Sequence, residues 1–112
     1  MTSLSDHVDT ELELASEASD ASVSFAHLER AHILSQYSTR DHVRVHYAML
    51  RWGVAQRSGR EVAGQVVRII AAATKTAFGW IPVGNTGGAN VSPIKPMPVP
   101  DDLARIIARH RA

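Results

Sequence analysis

Residues 27–53 read HLERAHILSQYSTRDHVRVHYAMLRWG. Two helical phases meet in this stretch. At about 100° per residue, Phe25, Leu28 and His32 form an i, i+3, i+7 stripe. Glu29, Ile33 and Gln36 flank that stripe, while His27 and Leu34 lie on another side. Both sides can be buried if the helix runs between two others. After a short Tyr37-Ser38 connection, His42, Val45, His46, Met49 and Gly53 form the inner stripe of a second helix, with Arg44, Tyr47 and Arg51 outside. The pattern predicts helices over 23–36 and 40–57 joined by a tight turn. Three histidines, His32, His42 and His46, fall where an apolar core is expected, and His27 does not.

The same reasoning extends outward. Val8, Leu12 and Ala15 share a face of a first helix over 4–18, with Glu11 at the edge of that face. Ser5 is its expected cap, with Asp6 and Asp9 in the first turn, where the helix dipole favours acids. Ser19-Asp20 is a break, and Ser22 or Ser24 is expected to cap the next helix. Thr39 or Ser38 is expected to cap the third. Ser58-Gly59 ends the third helix and a fourth is expected over 60–78. Its Val62, Val66, Ile69 and Ala73 share one face, and Glu61, Gln65 and Arg68 another.

From Gly79 to Pro100 the chain reads GWIPVGNTGGANVSPIKPMPVP, with all five prolines and four of the seven glycines. Such composition excludes regular structure over most of the segment. Its apolar residues (Trp80, Ile81, Val83, Val91, Ile94, Met97 and Val99) predict an ordered strap lying over the helices. A Pro followed by two acids then opens a short helix over 101–109, with Leu103, Ile106 and Ile107 apolar. The expected fold is all-α and a single domain over 1–112. It is a compact bundle of four helices plus a short C-terminal helix, with a tetratricopeptide-like N-terminal hairpin and a long ordered Gly/Pro-rich loop over 79–100.

Composition narrows the function classes. The chain has 112 residues, 45% of them hydrophobic, with a net charge of +1. Its Lys and Arg are scattered, so bulk charge gives no reason to propose nucleic acid or an anionic membrane as partner. There is no cysteine, which excludes disulfides, thiolate metal sites and Cys nucleophiles. No apolar run approaches the ~20 residues of a membrane span. The acidic start, MTSLSDHVDTELE, lacks the positive-then-apolar order of a secretion signal. A cytoplasmic protein is the expectation.

The chemistry lies with the inner histidines. His42 and His46 are four apart, so both imidazoles leave one face of one helix. This is the spacing by which a helix offers two histidines to one metal ion. Packing of the preceding helix can bring His32 opposite. Three nitrogens, with Glu29 or Glu11 adding a carboxylate, would make a site for zinc, iron, copper or nickel. The competing arrangement is a hydrogen-bonded network in which Glu29, Gln36, Glu61 or Arg68 satisfies the imidazoles one by one. Either answers the ~1–3 kcal/mol cost of a buried, unsatisfied polar group. Glu29 and His32 also form a Glu-x-x-His run. A carboxylate-bridged di-iron site needs two such runs and two further Glu, and only one run is present.

Glu61, Gln65 and Arg68 are expected to bracket the strap by bonding its free backbone groups. Asn85 and Asn90 are expected in positive-φ or Asx-turn conformations. No serine sits in a nucleophile-elbow context, and no carboxylate pair is placed for acid–base work. Catalysis through a metal-bound water is the one enzyme route open.

The blocks HLERAHIL, His42-x-x-x-His46 running into AMLRWG, EVAGQVVRI, GNTGGANVSP and PMPVPDDL resemble a bacterial family of unknown function, DUF3703. The resemblance runs from about Glu11 to Leu103. It implies a small cytoplasmic protein associated with metal-resistance neighbourhoods and transfers no activity. Ser19 departs from the glycine expected in a tetratricopeptide hairpin. Three functions follow in order of expectation. The first is a helical metal-binding protein for metal handling or resistance. The second is a tetratricopeptide-like module for protein interaction or self-association, such as a homodimer, with structural histidines. The third is a small-molecule enzyme using a metal-bound water.

Overall fold

A computed structural model describes residues 2–75, 85–89 and 96–111. These form five helices: α1 (Leu4–Glu17), α2 (Ala21–Ser35), α3 (Thr39–Ala55), α4 (Gly59–Lys75) and α5 (Asp101–Arg111). The all-α class stands, with no strand among the described residues. Gly79, Trp80, Ile81, Val83, Asn90, Val91, Ile94 and the expected end of the fourth helix lie outside the described residues.

Local chemistry sets the helix starts. Ser3, rather than Ser5, caps α1: its Oγ accepts from the Asp6 N–H at 3.1 Å while Asp6 accepts from the Ser3 N–H at 2.9 Å. That reciprocal pair satisfies two donors at once, which a cap at Ser5 would forgo. Asp20, not Ser22 or Ser24, caps α2 by accepting from the N–H groups of Ser22 and Val23. Ser38 caps α3 through the Asp41 N–H. Ser58 accepts from the Glu61 N–H at the start of α4. Between α3 and α4, Arg57 takes the left-handed conformation, φ +55°, at the position after a helix where glycine is favoured. Gly59 instead opens α4.

Helices α1 and α2 pack side by side across 18–20, α3 and α4 across 56–58, and α2 joins the two pairs by lying against α3. The apolar core is Val8, Ala15, Leu28, Ala31, Ile33, Leu34, Val45, Met49 and Leu103. It draws on α1, α2, α3 and α5. Trp52 closes it at one end, its ring 4.5 Å from that of Phe25 and its Nε1–H donating to the Ala21 carbonyl at 3.0 Å.

Helix α4 contributes none of those core residues. Its buried positions are Glu61, Gln65 and Arg68, whereas Val66, Val67 and Ile70 are 44, 62 and 63% exposed. Of the expected apolar face, Val62 and Ile69 are half-buried and Val66 is exposed, while Val67 and Ile70 point outward beside it. The reason lies opposite: α3 buries His42 and His46 on the side that faces α4, and buried polar groups require polar partners. The molecule thus has two interiors. One is apolar, among α1, α2, α3 and α5, and the other is polar, among α2, α3, α4 and residues 85–89.

Candidate metal centre

Three imidazoles meet in the polar interior. His32 from α2 and His42 and His46 from α3 are 2, 2 and 3% exposed. Their Nε2 atoms form a triangle: His42 to His32 is 2.9 Å, His46 to His32 is 3.1 Å and His46 to His42 is 3.1 Å. Among the described residues they are the group of His, Asp and Glu side chains close enough together to hold a metal ion. One turn of α3 separates two of these nitrogens, and the tight α2–α3 connection supplies the third.

Hydrogen bonds on the far side of two rings decide where their protons are. The Nδ1 of His32 lies 2.6 Å from the main-chain oxygen of Asn85. A carbonyl only accepts, so His32 carries its proton on Nδ1. The Nδ1 of His46 lies 2.6 Å from Gln65 Oε1. The Gln65 amide is held in that orientation because its Nε2 donates to the Glu61 carboxylate and, at 2.9 Å, to the Gly87 carbonyl. His46 is therefore also protonated on Nδ1.

It follows that the Nε2 atoms of neutral His32 and His46 are both bare lone pairs, 3.1 Å apart. A neutral His42 can place one proton in the triangle at most. Three neutral imidazoles would thus share one proton among three nitrogen–nitrogen contacts, and lone pairs that close repel. A cation shared by the three nitrogens would satisfy all of them. Nitrogens bound to one ion at about 2.0–2.1 Å stand roughly 2.9–3.4 Å apart for angles of about 90–109°. The observed edges lie within that span.

Residues 85–89 close over the site. Asn85 Oδ1 accepts from the Gly87 N–H at 2.9 Å, an Asx turn of the kind expected for Asn85. Gly87 has φ +85°, and a Cβ there would stand 2.4 to 2.7 Å from His32 ring atoms. Only glycine fits both constraints. Glu61 accepts from the Ala89 N–H at 3.2 Å. A Cβ on Gly64 would stand 2.5 Å from the Ala89 Cβ, so α4 and the loop are in close contact. Glu61 and Gln65 therefore hold the loop by its backbone. Arg68 donates to the Gly64 carbonyl at 3.1 Å, and burial pulls its pKa down against the charge of Glu61.

Neither carboxylate suggested for the site belongs to the cluster of three histidines. Glu11 accepts from His27 Nδ1 at 3.0 Å and from Arg30 Nε at 3.1 Å, and Arg30 reaches on to Asp102. That chain ties α1, α2 and α5 together. Glu29 is half-buried beside the loop. Burial raises its pKa and the charge of Glu61 adds to the rise; the Thr86 hydroxyl, outside hydrogen-bonding geometry, opposes it. Sequence reasoning missed that Gln65 serves His46 as well as the loop. It also missed the main-chain oxygen of Asn85. The signal for Gln65 was present, since it lies one turn from Glu61 on a polar helix face. A carbonyl partner carries no signal in sequence.

The chain belongs to the family described as protein of unknown function (DUF3703), whose model matches residues 2–107. Neither curated proteins nor solved structures provide a match.

Proposed function

We propose that the chain is a small metal-binding protein in which His32, His42 and His46 bind one first-row transition ion through Nε2. The observation that carries this is the nitrogen triangle with two Nδ1 protons directed away from it. Histidines that bind metal through one nitrogen commonly donate the other N–H to a carbonyl or carboxylate, which fixes the ring and raises its basicity. His32 and His46 have such partners. Imidazole donors without thiolate favour zinc, copper(II), nickel or iron(II). Glu11 is engaged by His27 and Arg30, so a water, or Glu29 after a rotation, completes the coordination.

We read the site as one for handling or resistance, since the three histidines are nearly inaccessible. Two cavities of about 400 Å³ lined by described residues lie among α1, α2 and α3, and at the start of α1 and α3. None of the three histidines lines either. No helix among the described residues is long and apolar enough to cross a membrane. Elemental analysis of protein purified without a His-tag tests the proposal, followed by titration with zinc, copper and nickel. One ion per chain is expected for the wild type, and His42→Ala is expected to lose it.

A second reading is self-association of a tetratricopeptide-like module as a homodimer. The outward Val66, Val67 and Ile70 of α4 favour it, since contiguous exposed apolar side chains mark interaction surfaces. Light scattering over a concentration series distinguishes a dimer from a strict monomer, and Val67→Glu is expected to shift a dimer to monomer.

A further inference from the structure

We infer that Gln65 is a positioning residue that couples the ion to residues 85–89, so that these residues form a gate on ion exchange. The inference rests on the metal-binding reading above. Its basis is the way one amide faces both ways. Gln65 Oε1 accepts from His46 Nδ1–H at 2.6 Å, and Gln65 Nε2 donates to the Gly87 carbonyl at 2.9 Å. A second tie runs in parallel, from His32 Nδ1–H to the Asn85 carbonyl at 2.6 Å. Gly87 lies against the His32 ring so closely that no Cβ could be accommodated. Two of the three ligands are thereby joined to the same five-residue segment, one directly and one through Gln65.

The direction of the coupling follows from charge. An ion on Nε2 withdraws electron density from the ring, which makes the Nδ1–H a stronger donor. Both ties become charge-assisted, and such bonds are roughly twice as strong as neutral ones. The bound ion therefore tightens the contact of 85–89 with the helices. By linkage, the docked segment tightens the ion by the same factor. Release of the ion requires these contacts to loosen, because the three histidines are nearly inaccessible beneath them. The Ala89 N–H on Glu61 reports docking on α4, and the Gly87 N–H on Asn85 Oδ1 reports the turn that presents the segment to His32.

Two variants separate this from simple ligand loss. Gln65→Leu removes the amide and leaves all three histidines. Gly87→Ala leaves Gln65 in place and pushes the segment off the His32 ring, which keeps a test in hand if Gln65→Leu fails to fold. The probe is zinc. Amide exchange at Gly87 and Ala89 is measured with and without it, and zinc transfer to excess chelator is followed by stopped flow. Zinc is expected to slow exchange at both amides at least about tenfold in the wild type. Each folded variant is expected to bind zinc at wild-type stoichiometry and to release it about 10–100-fold faster, the usual scale for losing a group that orients a ligand. Stoichiometric zinc binding with unchanged exchange at both amides, or wild-type release rates in the folded variants, overturns the gate and leaves the metal site standing. A wild type that takes up no zinc or other first-row ion overturns the metal-binding reading and the gate together.

Discussion

His32 and Asn85 are 53 positions apart, and the Asn85 main-chain oxygen lies 2.6 Å from His32 Nδ1. The bond fixes which His32 nitrogen is bare. It also makes the orientation of a histidine on α2 depend on a loop that follows α4. Gln65 does the same for His46. The site is thus one polar unit built from α2, α3, α4 and residues 85–89. Removing any member leaves a buried partner unsatisfied, at a cost of about 1–3 kcal/mol.

The proton assignment can be measured directly. Long-range nitrogen–proton NMR spectra are expected to show His32 and His46 as Nδ1–H tautomers in the metal-free protein at neutral pH. Added zinc should move the Nε2 resonances and leave both Nδ1–H protons in place. An Nε2–H tautomer at either residue contradicts the assignment.

Glu29 gives a pH-dependent outcome. Burial raises its folded pKa above the ordinary 4.5. A carboxyl raised on folding contributes stability below its unfolded pKa and loses it as pH rises through the folded value. Ionised Glu29 therefore lowers stability at neutral pH. Glu29→Gln is expected to melt higher than wild type at pH 7, with the difference vanishing below about pH 4. Thermal melts across that range of pH check this, and a variant that melts lower at pH 7 contradicts it.

The two interiors predict different sensitivities. Met49 and Leu103 are fully buried in the apolar core, so Met49→Ala or Leu103→Ala should cost about 2–5 kcal/mol in chemical denaturation. Val67 and Ile70 are exposed, and their replacement by Ala should change the monomer's stability by no more than about 0.5 kcal/mol. Equal costs at the two sets would mean that the α4 face is buried.

Much of this was legible in the sequence because it is local. Helical phase alone brings His42 and His46 to one face, and a short connection returns His32 to them. Phase could not orient α4. Its apolar stripe of Val62, Val66 and Ile69 is only partly covered, Val66 being exposed, while Glu61 and Gln65 are the residues buried against the imidazoles and the loop. The Asn85 carbonyl was illegible for another reason: every residue has one, and a Gly/Pro-rich segment has no period to place it. Helix starts failed by a few residues where Ser3 and Asp20 offered better hydrogen bonds than the serines further in.

The most direct measurement is metal content. Protein prepared without a His-tag and titrated with zinc, copper, nickel and iron(II) should bind one ion per chain, and His32→Ala, His42→Ala and His46→Ala should each abolish or greatly weaken that binding. Failure to bind any of these ions, or stoichiometric binding unchanged in His42→Ala, would contradict the account.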